Sequence, residues 1–322
     1  MRNLITGGAG FIGSHLAEEL LNKGEEVTVI DNLSTGDINN IEHLRSHAKF
    51  SCHIDTIMNE KLMRRLVKNC DCIYHLAAAV GVKYIIDNPL VSIETNVKGT
   101  EMVLGLANEL GKKKVVIAST SEIYGKDRPG KREFSESDDR VLGPTSISRW
   151  SYSCTKAIDE FLALAYWREK KLPVVIVRFF NTCGPRQTGR YGMVIPRFVK
   201  QALMGQPITV YGSGRQTRSF TYVKDAVRAI IALAKHPGAV GEPFNIGNPN
   251  AVTIKKLAEM VKSLTKSKSR IVYVPYEKAY EKGFEDMMHR VPNIGKIKKL
   301  IGFYPEYDLD EILESIISYF RE

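Results

Sequence analysis

Three glycines near the start of the chain are spaced for binding a phosphate-rich ligand. Gly7, Gly10 and Gly13 form the pattern G-x-x-G-x-x-G directly after a short apolar run. The first glycine permits a tight turn, the second lets the backbone approach a pyrophosphate, and the third lets a helix pack closely on a sheet. N–H groups at the start of that helix then face the phosphates. The pattern predicts a dinucleotide site.

An acidic residue follows at the distance that such a site requires. Asp31 ends the second apolar run, 18 residues after Gly13. A carboxylate there accepts hydrogen bonds from the adenosine ribose and repels a 2′-phosphate, which favours NAD over NADP. The alternative is that Asp31 only begins the turn that continues through Asn32. Asp55, after the third predicted strand, is a further candidate for the adenine edge.

A tyrosine and a lysine lie four residues apart later in the chain. Tyr152 and Lys156 share one face of a predicted helix. A nearby ammonium, and the positive nicotinamide of NAD⁺, favour phenolate over phenol, so Tyr152 is a candidate proton acceptor. Thr120 and Ser121 follow a strand, where a hydroxyl can hold a substrate hydroxyl beside the tyrosine. The alternative is an exposed Tyr–Lys pair without a role.

Alternating strands and helices must position these residues. Short β-branched runs alternate with amphipathic stretches, which predicts a Rossmann-type doubly wound parallel sheet of the α/β class, with helices on both faces. The predicted strands are Arg2–Thr6, Glu26–Ile30, Cys72–Leu76, Lys114–Ala118 and Pro173–Phe180. The predicted helices are Ile12–Lys23, Lys61–Lys68, Val91–Leu110, Tyr152–Lys170, Pro196–Met204, Asp225–Lys235, Thr253–Leu264 and Asp308–Phe320.

The sequence changes in composition after about residue 180, since residues 184–193 are rich in glycine, proline and polar residues. We predict an NAD-binding domain over 1–180, with return segments near 212–247, and a smaller interleaved α/β substrate domain over 181–322. Phe244–Gly247 is an apolar run that suits a return to the main sheet.

The composition excludes several classes of protein. The 322 residues are 43% hydrophobic and 25% charged, which is typical of a globular chain and excludes disorder, collagen and coiled coil as the main architecture. There is no apolar run long enough for a transmembrane helix and no secretory signal, so we expect a cytoplasmic protein. The five cysteines form no metal-binding pattern and are expected to be reduced thiols. The net charge of +10 favours anionic partners such as phosphates.

Several motifs, taken in order, resemble the extended short-chain dehydrogenase/reductase family that acts on nucleotide sugars. The resemblance covers nearly the whole chain, with one departure at Ile54, where many relatives have glycine; this puts the adenine role of Asp55 in doubt. The matching residues are Gly7–Gly13, Asp31–Leu33, His75–Ala78, Asn96–Thr100, Ser119–Gly125, Tyr152 with Lys156, Arg178–Asn181, Tyr211, Arg218–Val223, Phe244–Gly247 and Arg290.

The resemblance implies a mechanism and a cofactor site. Tyr152 takes the proton of the sugar 4-hydroxyl while hydride passes from C4 to tightly bound NAD⁺, and Thr120 or Ser121 shares the hydrogen bond. The fate of the resulting 4-keto sugar decides whether the enzyme is a 4-epimerase, a decarboxylase or a 4,6-dehydratase. The implied cofactor residues are Gly7, Gly10, Phe11, Ile12, Gly13, Asp31, Asn32, Asp55, Leu76, Ala77, Ala78, Asn96, Tyr152 and Lys156.

Glu122 bears on the choice among these reactions. A carboxylate beside Thr120 can act as a base toward C5 of the sugar. The run Thr120–Gly125 resembles UDP-glucuronate decarboxylases and GDP-mannose dehydratases, and many simple epimerases lack an acid at this position. The alternative is that Glu122 turns outward or caps the following turn.

Cations suited to an acidic nucleotide sugar complete the predicted site. Arg190 resembles the carboxylate-holding arginine of some UDP-glucuronate 4-epimerases, and Lys83 is placed to reach the same group; a solvated surface charge is the alternative for both. Arg186 is predicted to bind phosphate or to be structural. The resemblance further assigns Asn181, Arg218 and Arg290 to the diphosphate and Tyr211 to stacking on the base.

These observations lead to a first hypothesis and its rivals. We predict an NAD-dependent UDP-sugar 4-epimerase acting on UDP-glucuronate, with a UDP-glucuronate decarboxylase as the alternative and a 4,6-dehydratase third. An idle NAD-binding sensor or a nucleic-acid-binding relative is the non-enzyme alternative. No metal, membrane or specific nucleic acid is expected. A homodimer through the helices Ile93–Leu110 and Tyr152–Lys170 is expected, with these apolar side chains at the interface or inside one subunit: Val97, Val103, Leu104, Leu106, Phe161, Leu162, Leu164 and Ala165.

Overall fold

The computed structural model describes residues 1–126, 130, 133–189, 193–279 and 287–321. Strands and helices alternate through its first half. The strands of these residues are β1 (Arg2–Thr6), β2 (Glu26–Asp31), β3 (Phe50–Ile54), β4 (Cys72–His75), β5 (Lys114–Thr120), β6 (Val174–Phe179), β7 (Thr182–Cys183), β8 (Ile208–Tyr211), β9 (Thr217–Ser219), β10 (Thr221–Tyr222), β11 (Pro243–Ile246), β12 (Ala251–Thr253), β13 (Ile271–Val274) and β14 (His289–Arg290).

The eight predicted helices begin and end close to their predicted bounds. A short 3₁₀-helix, Ser121–Tyr124, follows β5. The α-helices are α1 (Phe11–Asn22), α2 (Glu60–Lys68), α3 (Val82–Asp87), α4 (Pro89–Glu109), α5 (Trp150–Lys170), α6 (Val194–Leu203), α7 (Val223–Lys235), α8 (Ile254–Leu264), α9 (Tyr276–Ala279), α10 (Gly295–Ile301) and α11 (Leu309–Arg321). The shorter helices α3, α9 and α10 were not predicted.

Seven strands form one parallel sheet in the spatial order β3-β2-β1-β4-β5-β6-β11. The chain runs outward from β1 to β3 and then crosses back to β4, so the direction of winding reverses between β1 and β4. In such a sheet, ligands bind outside the carboxyl ends of the strands at this reversal. The Rossmann-type doubly wound fold is therefore confirmed.

Apolar side chains cover both faces of the sheet. Along β5, Val115 and Ile117 pack in one buried cluster with α2, α4 and α5. Val116, which lies between them, packs in a second cluster with α1 and α7. Because side chains alternate across a strand, the two clusters lie on opposite faces of the sheet. This two-sided core holds the strand ends in fixed positions.

The later part of the chain forms smaller sheets beside the main one. Their strand orders are β10-β7, β12-β9-β14 and β13-β8. Between them, β11 returns to the main sheet and pairs with β6, so that Phe244 lies opposite Val177. The domain boundary at residue 180 stays an interpretation, and the return of β11 supports its interleaved form.

The helices predicted to form a dimer interface pack partly against each other. Val103, Leu104 and Leu106 are buried inside the subunit, which is the second of the two alternatives predicted for them. Phe161 is 63% exposed, whereas Val97, Leu162, Leu164 and Ala165 are half-buried. Among described residues, no helix has the length and apolar character needed to cross a membrane.

Candidate active site

The turn between β1 and α1 forms one wall of a cavity of about 700 Å³. Gly7 has a φ of +75°, and Gly10 precedes α1 without a side-chain cap, which leaves the first N–H groups of the helix available. A Cβ atom added at Gly7 would lie 2.8 Å from the Ala77 nitrogen, and one added at Gly13 would overlap the Gly7 oxygen. This bare backbone fits a pyrophosphate. The predicted residues Gly7, Gly10, Phe11, Ile12 and Gly13 all line the cavity.

Two carboxylates line this cavity. Asp31 accepts hydrogen bonds from the Ala9 N–H at 3.0 Å and the Leu33 N–H at 2.8 Å. Burial raises the pKa of Asp31, and these backbone bonds partly oppose the increase. Asp55 accepts a hydrogen bond from the Asn59 side chain at 2.8 Å. Their role in holding adenosine stays a prediction, supported by their place in the wall, which Asn32 shares.

The loop after β4 forms the floor of the cavity. Leu76–Ala78 lines it, but Asn96 does not. The Asn96 side chain is buried, accepts a hydrogen bond from the Ala79 N–H at 2.8 Å and donates to Thr155 of α5 at 3.3 Å. The direct cofactor contact predicted for Asn96 stays a prediction, while the bonds of its amide show a structural role. It fixes the loop against α5.

The hydroxyl groups and the lysine predicted for catalysis meet at the strand ends. Thr120 ends β5, Ser121 follows it, and Tyr152 and Lys156 reach the same wall from α5. Thr120 lies close enough to Tyr152 for its hydroxyl to favour the phenolate and so lower the pKa of the tyrosine. Lys156 is buried, and its Nζ lies 3.1 Å from an oxygen of Asp159. The structure therefore brings together the four predicted groups and adds an aspartate.

The ionisation of Tyr152 differs from the simple prediction. Burial raises the pKa of the phenol, and the carboxylates Glu122 and Asp159 raise it further, while Thr120 lowers it. Because Asp159 offsets the charge of Lys156, the lysine alone does not activate the tyrosine. The positive charge of a bound nicotinamide is then required to favour the phenolate.

Glu122 is held between two arginines. One carboxylate oxygen accepts a hydrogen bond from Arg149 at 3.0 Å, and the other pairs with Arg290. Arg290 also donates to the Asn181 side chain at 2.5 Å. We call Glu122, Arg149 and Arg290 the Glu122 clamp. The side chains are 20%, 5% and 16% exposed, so Glu122 neither turns outward nor caps the turn.

The clamp fixes the charge of Glu122. Burial raises the pKa of this carboxyl, but Arg290 and Arg149 outweigh that effect and lower the pKa to about 2. Glu122 is therefore a carboxylate at neutral pH. The conjugate base of so strong an acid accepts protons poorly, which argues against the predicted role of Glu122 as a base toward C5.

A second cavity of about 170 Å³ continues from the clamp. Arg218 lines it and donates to the carbonyls of Thr217 and Met287, each at 2.8 Å. The guanidinium of Arg197 lies 3.9 Å from the centre of the Tyr211 ring and covers one face. A base that stacks on Tyr211, as predicted, must use the other face. Arg290 lines both cavities, so its position is closer to the reacting groups than the prediction of a diphosphate ligand implied.

The structure describes the side chains of two of the four remaining residues that were predicted to bind substrate. Arg186 pairs with Glu18 of α1 at 2.8 Å and lines the larger cavity, so it ties its loop to α1. Asn181 donates to the Ser219 carbonyl at 2.8 Å, which fixes the amide that faces Arg290. The side chain of Lys83 and the whole of Arg190 lie outside the described residues, and their roles stay predictions.

Comparisons with known proteins place this architecture in one family. The sequence profile described as GDP-mannose 4,6 dehydratase matches residues 4–316. The chain belongs to this family. Proteins that share one fold can catalyse different reactions, so membership of this family does not by itself decide the reaction.

Individual relatives and solved structures narrow the range of candidate reactions. The chain is 46% identical over 322 residues to a UDP-N-acetyl-alpha-D-glucosaminuronate decarboxylase of Bacillus cytotoxicus, which covers 100% of the chain and 98% of the relative. It is 38% identical to UDP-glucuronic acid decarboxylase 1 of Danio rerio, over 99% of the chain and 72% of the relative. A solved UDP-glucuronic acid 4-epimerase of Bacillus cereus, in complex with UDP-glucuronic acid and NAD, superimposes with a TM-score of 0.89 at 28% identity, over 100% and 99% of the two chains.

Three residues of the site were missed by the sequence reasoning. Arg149 has no motif of its own, although it lies three residues before Tyr152. Asp159 lies three residues after Lys156, a spacing that places both on one side of a helix and was available as a signal. Arg197 reaches Tyr211 from α6, and no local pattern predicts that contact.

Proposed function

We propose that the protein is an NAD-dependent decarboxylase of UDP-linked hexuronates. The observation that carries this proposal is the Glu122 clamp beside Tyr152 in a cavity that fits NAD. The two curated relatives described above support it, since both are named as decarboxylases of UDP-linked uronic acids. The alternative hypothesis from the sequence is therefore better supported than the 4-epimerase.

The first step forms a ketone at C4. Tyr152 takes the proton of the 4-hydroxyl, which Thr120 holds through its own hydroxyl, and Ser121 lies beside them in the wall. A bound NAD would supply the acceptor for the hydride of C4 and the donor that reduces C4 again once CO₂ has left. The Gly7–Gly13 turn and Asp31 would hold this cofactor, and Lys156, which lines the same cavity, would hold the nicotinamide ribose.

The ketone makes the substrate carboxylate labile. The C6 carboxylate is then β to the C4 carbonyl, so the C5–C6 bond breaks and its electron pair moves into an enolate on O4. A proton is next added at C5, and C4 is reduced. The net reaction converts a UDP-hexuronate and one proton into a UDP-pentose and CO₂, with no net change in the cofactor.

The clamp suits this reaction because of its charge. Arg149 and Arg290 attract the anionic sugar, but Glu122 neutralises one of the two positive charges. The site therefore binds the substrate carboxylate without strongly stabilising it against loss as CO₂. Neither Glu122 nor an arginine has a proton to release at neutral pH, since an arginine stays protonated in proteins. We propose that a water oriented by the clamp protonates C5.

A 4,6-dehydratase is less well supported by the same charges. That reaction needs a base that removes the C5 proton, and a Glu122 carboxyl with a pKa of about 2 is poorly suited to this task. We take UDP-N-acetylglucosaminuronate as the preferred substrate, because the relative of higher identity is named for it. UDP-glucuronate is the second candidate.

We also propose that the protein is a homodimer. Exposed apolar side chains lie at the start of α4 and along α5, and we propose that they form one patch, which a monomer gains nothing by exposing. Its members are Leu90, Val91, Ile93, Ile158 and Phe161. A second copy related by a twofold axis would cover this patch with the same patch.

A product assay tests the proposed reaction. Protein purified with its own cofactor is given each UDP-uronate in D₂O without added NAD, and the products are followed by NMR and CO₂ release. We expect a UDP-pentose with one deuterium at C5 and none at C4. A product that retains C6 and is inverted at C4 would instead identify the epimerase, and a 6-deoxy product would identify the dehydratase. Tyr152→Phe is the control for adventitious chemistry.

A further inference from the structure

A buried ion pair lies beneath the reacting tyrosine. The Nζ atom of Lys156 is 3.1 Å from one carboxylate oxygen of Asp159, on the same side of α5. The two side chains are 3% and 0% exposed. The other oxygen of Asp159 is buried and has no hydrogen-bond partner among the described residues. A carboxylate left half unsatisfied in this way is costly, so its presence calls for a function.

The charges around Tyr152 show what this pair changes. On α5, Lys156 is positive and Asp159 is negative. After β5, Glu122 is negative, and it is paired with both Arg149 and Arg290.

His75 on β4 adds no charge to this group. It is hydrogen-bonded to Thr6 and Thr100, and its pKa is lowered to about 3 by burial and by Lys156, so it is neutral. The positive charge of Lys156, which was expected to favour the Tyr152 phenolate, is therefore offset by the negative charge of Asp159.

We propose that Asp159 is a positioning residue that holds the Lys156 ammonium and sets the pH at which Tyr152 releases its proton. The proposal rests on the proposed function only in taking Tyr152 as the group that exchanges a proton with the substrate. Its physical basis is that a negative charge near a phenol disfavours the phenolate, while an ammonium without a counter-charge favours it. Removing the charge of Asp159 must therefore lower the pKa of Tyr152.

The test is a titration of Tyr152 in protein saturated with NAD⁺. The ultraviolet absorbance of tyrosinate is measured in Asp159→Asn and in the wild type, and the same curve with Tyr152→Phe added is subtracted from each. We expect the Tyr152 titration to move down by about one pH unit in Asp159→Asn. The acid side of the kcat profile should move down by the same amount. Identical titration midpoints in the two proteins would overturn the proposal.

Two further variants separate this role from simple destabilisation. Asp225→Asn breaks a second i,i+3 ion pair of a buried aspartate, in this case with the partly exposed Arg228 on α7, and should leave the Tyr152 titration unchanged. If Asp159→Asn does not fold, Asp159→Ala removes the same charge and leaves room for water beside Lys156, and the same downward shift is expected. The titration needs no turnover. A failure to decarboxylate UDP-uronates would therefore contradict the proposed function, while the effect of Asp159 on the Tyr152 titration could still be measured.

Discussion

Replacing Glu122 by glutamine removes the negative charge of the Glu122 clamp and leaves two arginines facing each other. The folded-state pKa of Glu122 is about 2, against an ordinary value of 4.5. A difference of about 2.5 pH units corresponds to about 3 kcal/mol of folding free energy. Because the folded-state pKa is the lower one, this stabilisation is complete above about pH 5 and is lost as the pH falls toward about 2.

Urea unfolding of the wild type and Glu122→Gln at several pH values measures this contribution. We expect the wild type to be more stable by about 3 kcal/mol at about pH 7 and by about 1.5 kcal/mol at about pH 3. Glu94→Gln is a matched control, since Glu94 forms an exposed i,i+4 pair with Lys98 and should change stability by less than about 0.5 kcal/mol. A stability gap between wild type and Glu122→Gln that is the same at every pH would refute the ion-pair argument.

The same variant tests the proposed chemistry. Without Glu122 the clamp carries two positive charges, which bind the substrate carboxylate more strongly and hold it against loss. We therefore expect KM for the UDP-uronate to stay equal or fall, while kcat falls by about 100-fold. An unchanged kcat with a raised KM would reject this role and leave Glu122 as a binding residue.

Three other substitutions probe separate parts of the site. Tyr152→Phe should abolish turnover and leave NAD bound, which absorbance of the purified protein and an activity assay measure together; full activity would reject the mechanism. Asp31→Ala should weaken NAD binding by about 10-fold or more and reduce the preference over NADP, as measured by calorimetry, because a charge-assisted hydrogen bond is lost. Phe161→Glu should dissociate the dimer, as seen by sedimentation at constant NAD; an unchanged mass would place the interface elsewhere.

Features that depend on residues close together in the chain, such as turns and helix caps, can be predicted from the sequence. The Gly7–Gly13 turn was predicted because a strand, a turn and a helix within a few residues already require the bare backbone. Helix α8 was predicted from its cap, and Thr253 indeed accepts a hydrogen bond from the Lys256 N–H at 3.1 Å. Strand β3 and the short strands of the later sheets have weaker patterns, since they gain their stability from neighbours that are distant in the chain.

The clamp lay beyond sequence reasoning because its members come from separate elements. Arg149 is 27 residues from Glu122, and Arg290 is 168 residues away. The motif around Glu122 shows that a carboxylate is present but not how it ionises, which depends on those two partners. For that reason the hypothesis of a C5 base followed from the residue type, and the two arginines around Glu122 argue against it.

The direction of the reaction is set by groups outside the shared oxidation machinery. Tyr152, Lys156 and Thr120 serve any reaction that begins with a C4 ketone, so their presence cannot distinguish epimerase, decarboxylase and dehydratase. The distinction must lie in what faces C5 and C6. In the proposed binding mode those groups are the Glu122 carboxylate, whose pKa is lowered to about 2, and the guanidinium groups of Arg149 and Arg290, none of which exchanges a proton at neutral pH. A site of this kind can attract and release a carboxylate but is poorly equipped to remove a carbon-bound proton, and it is this contrast that favours decarboxylation.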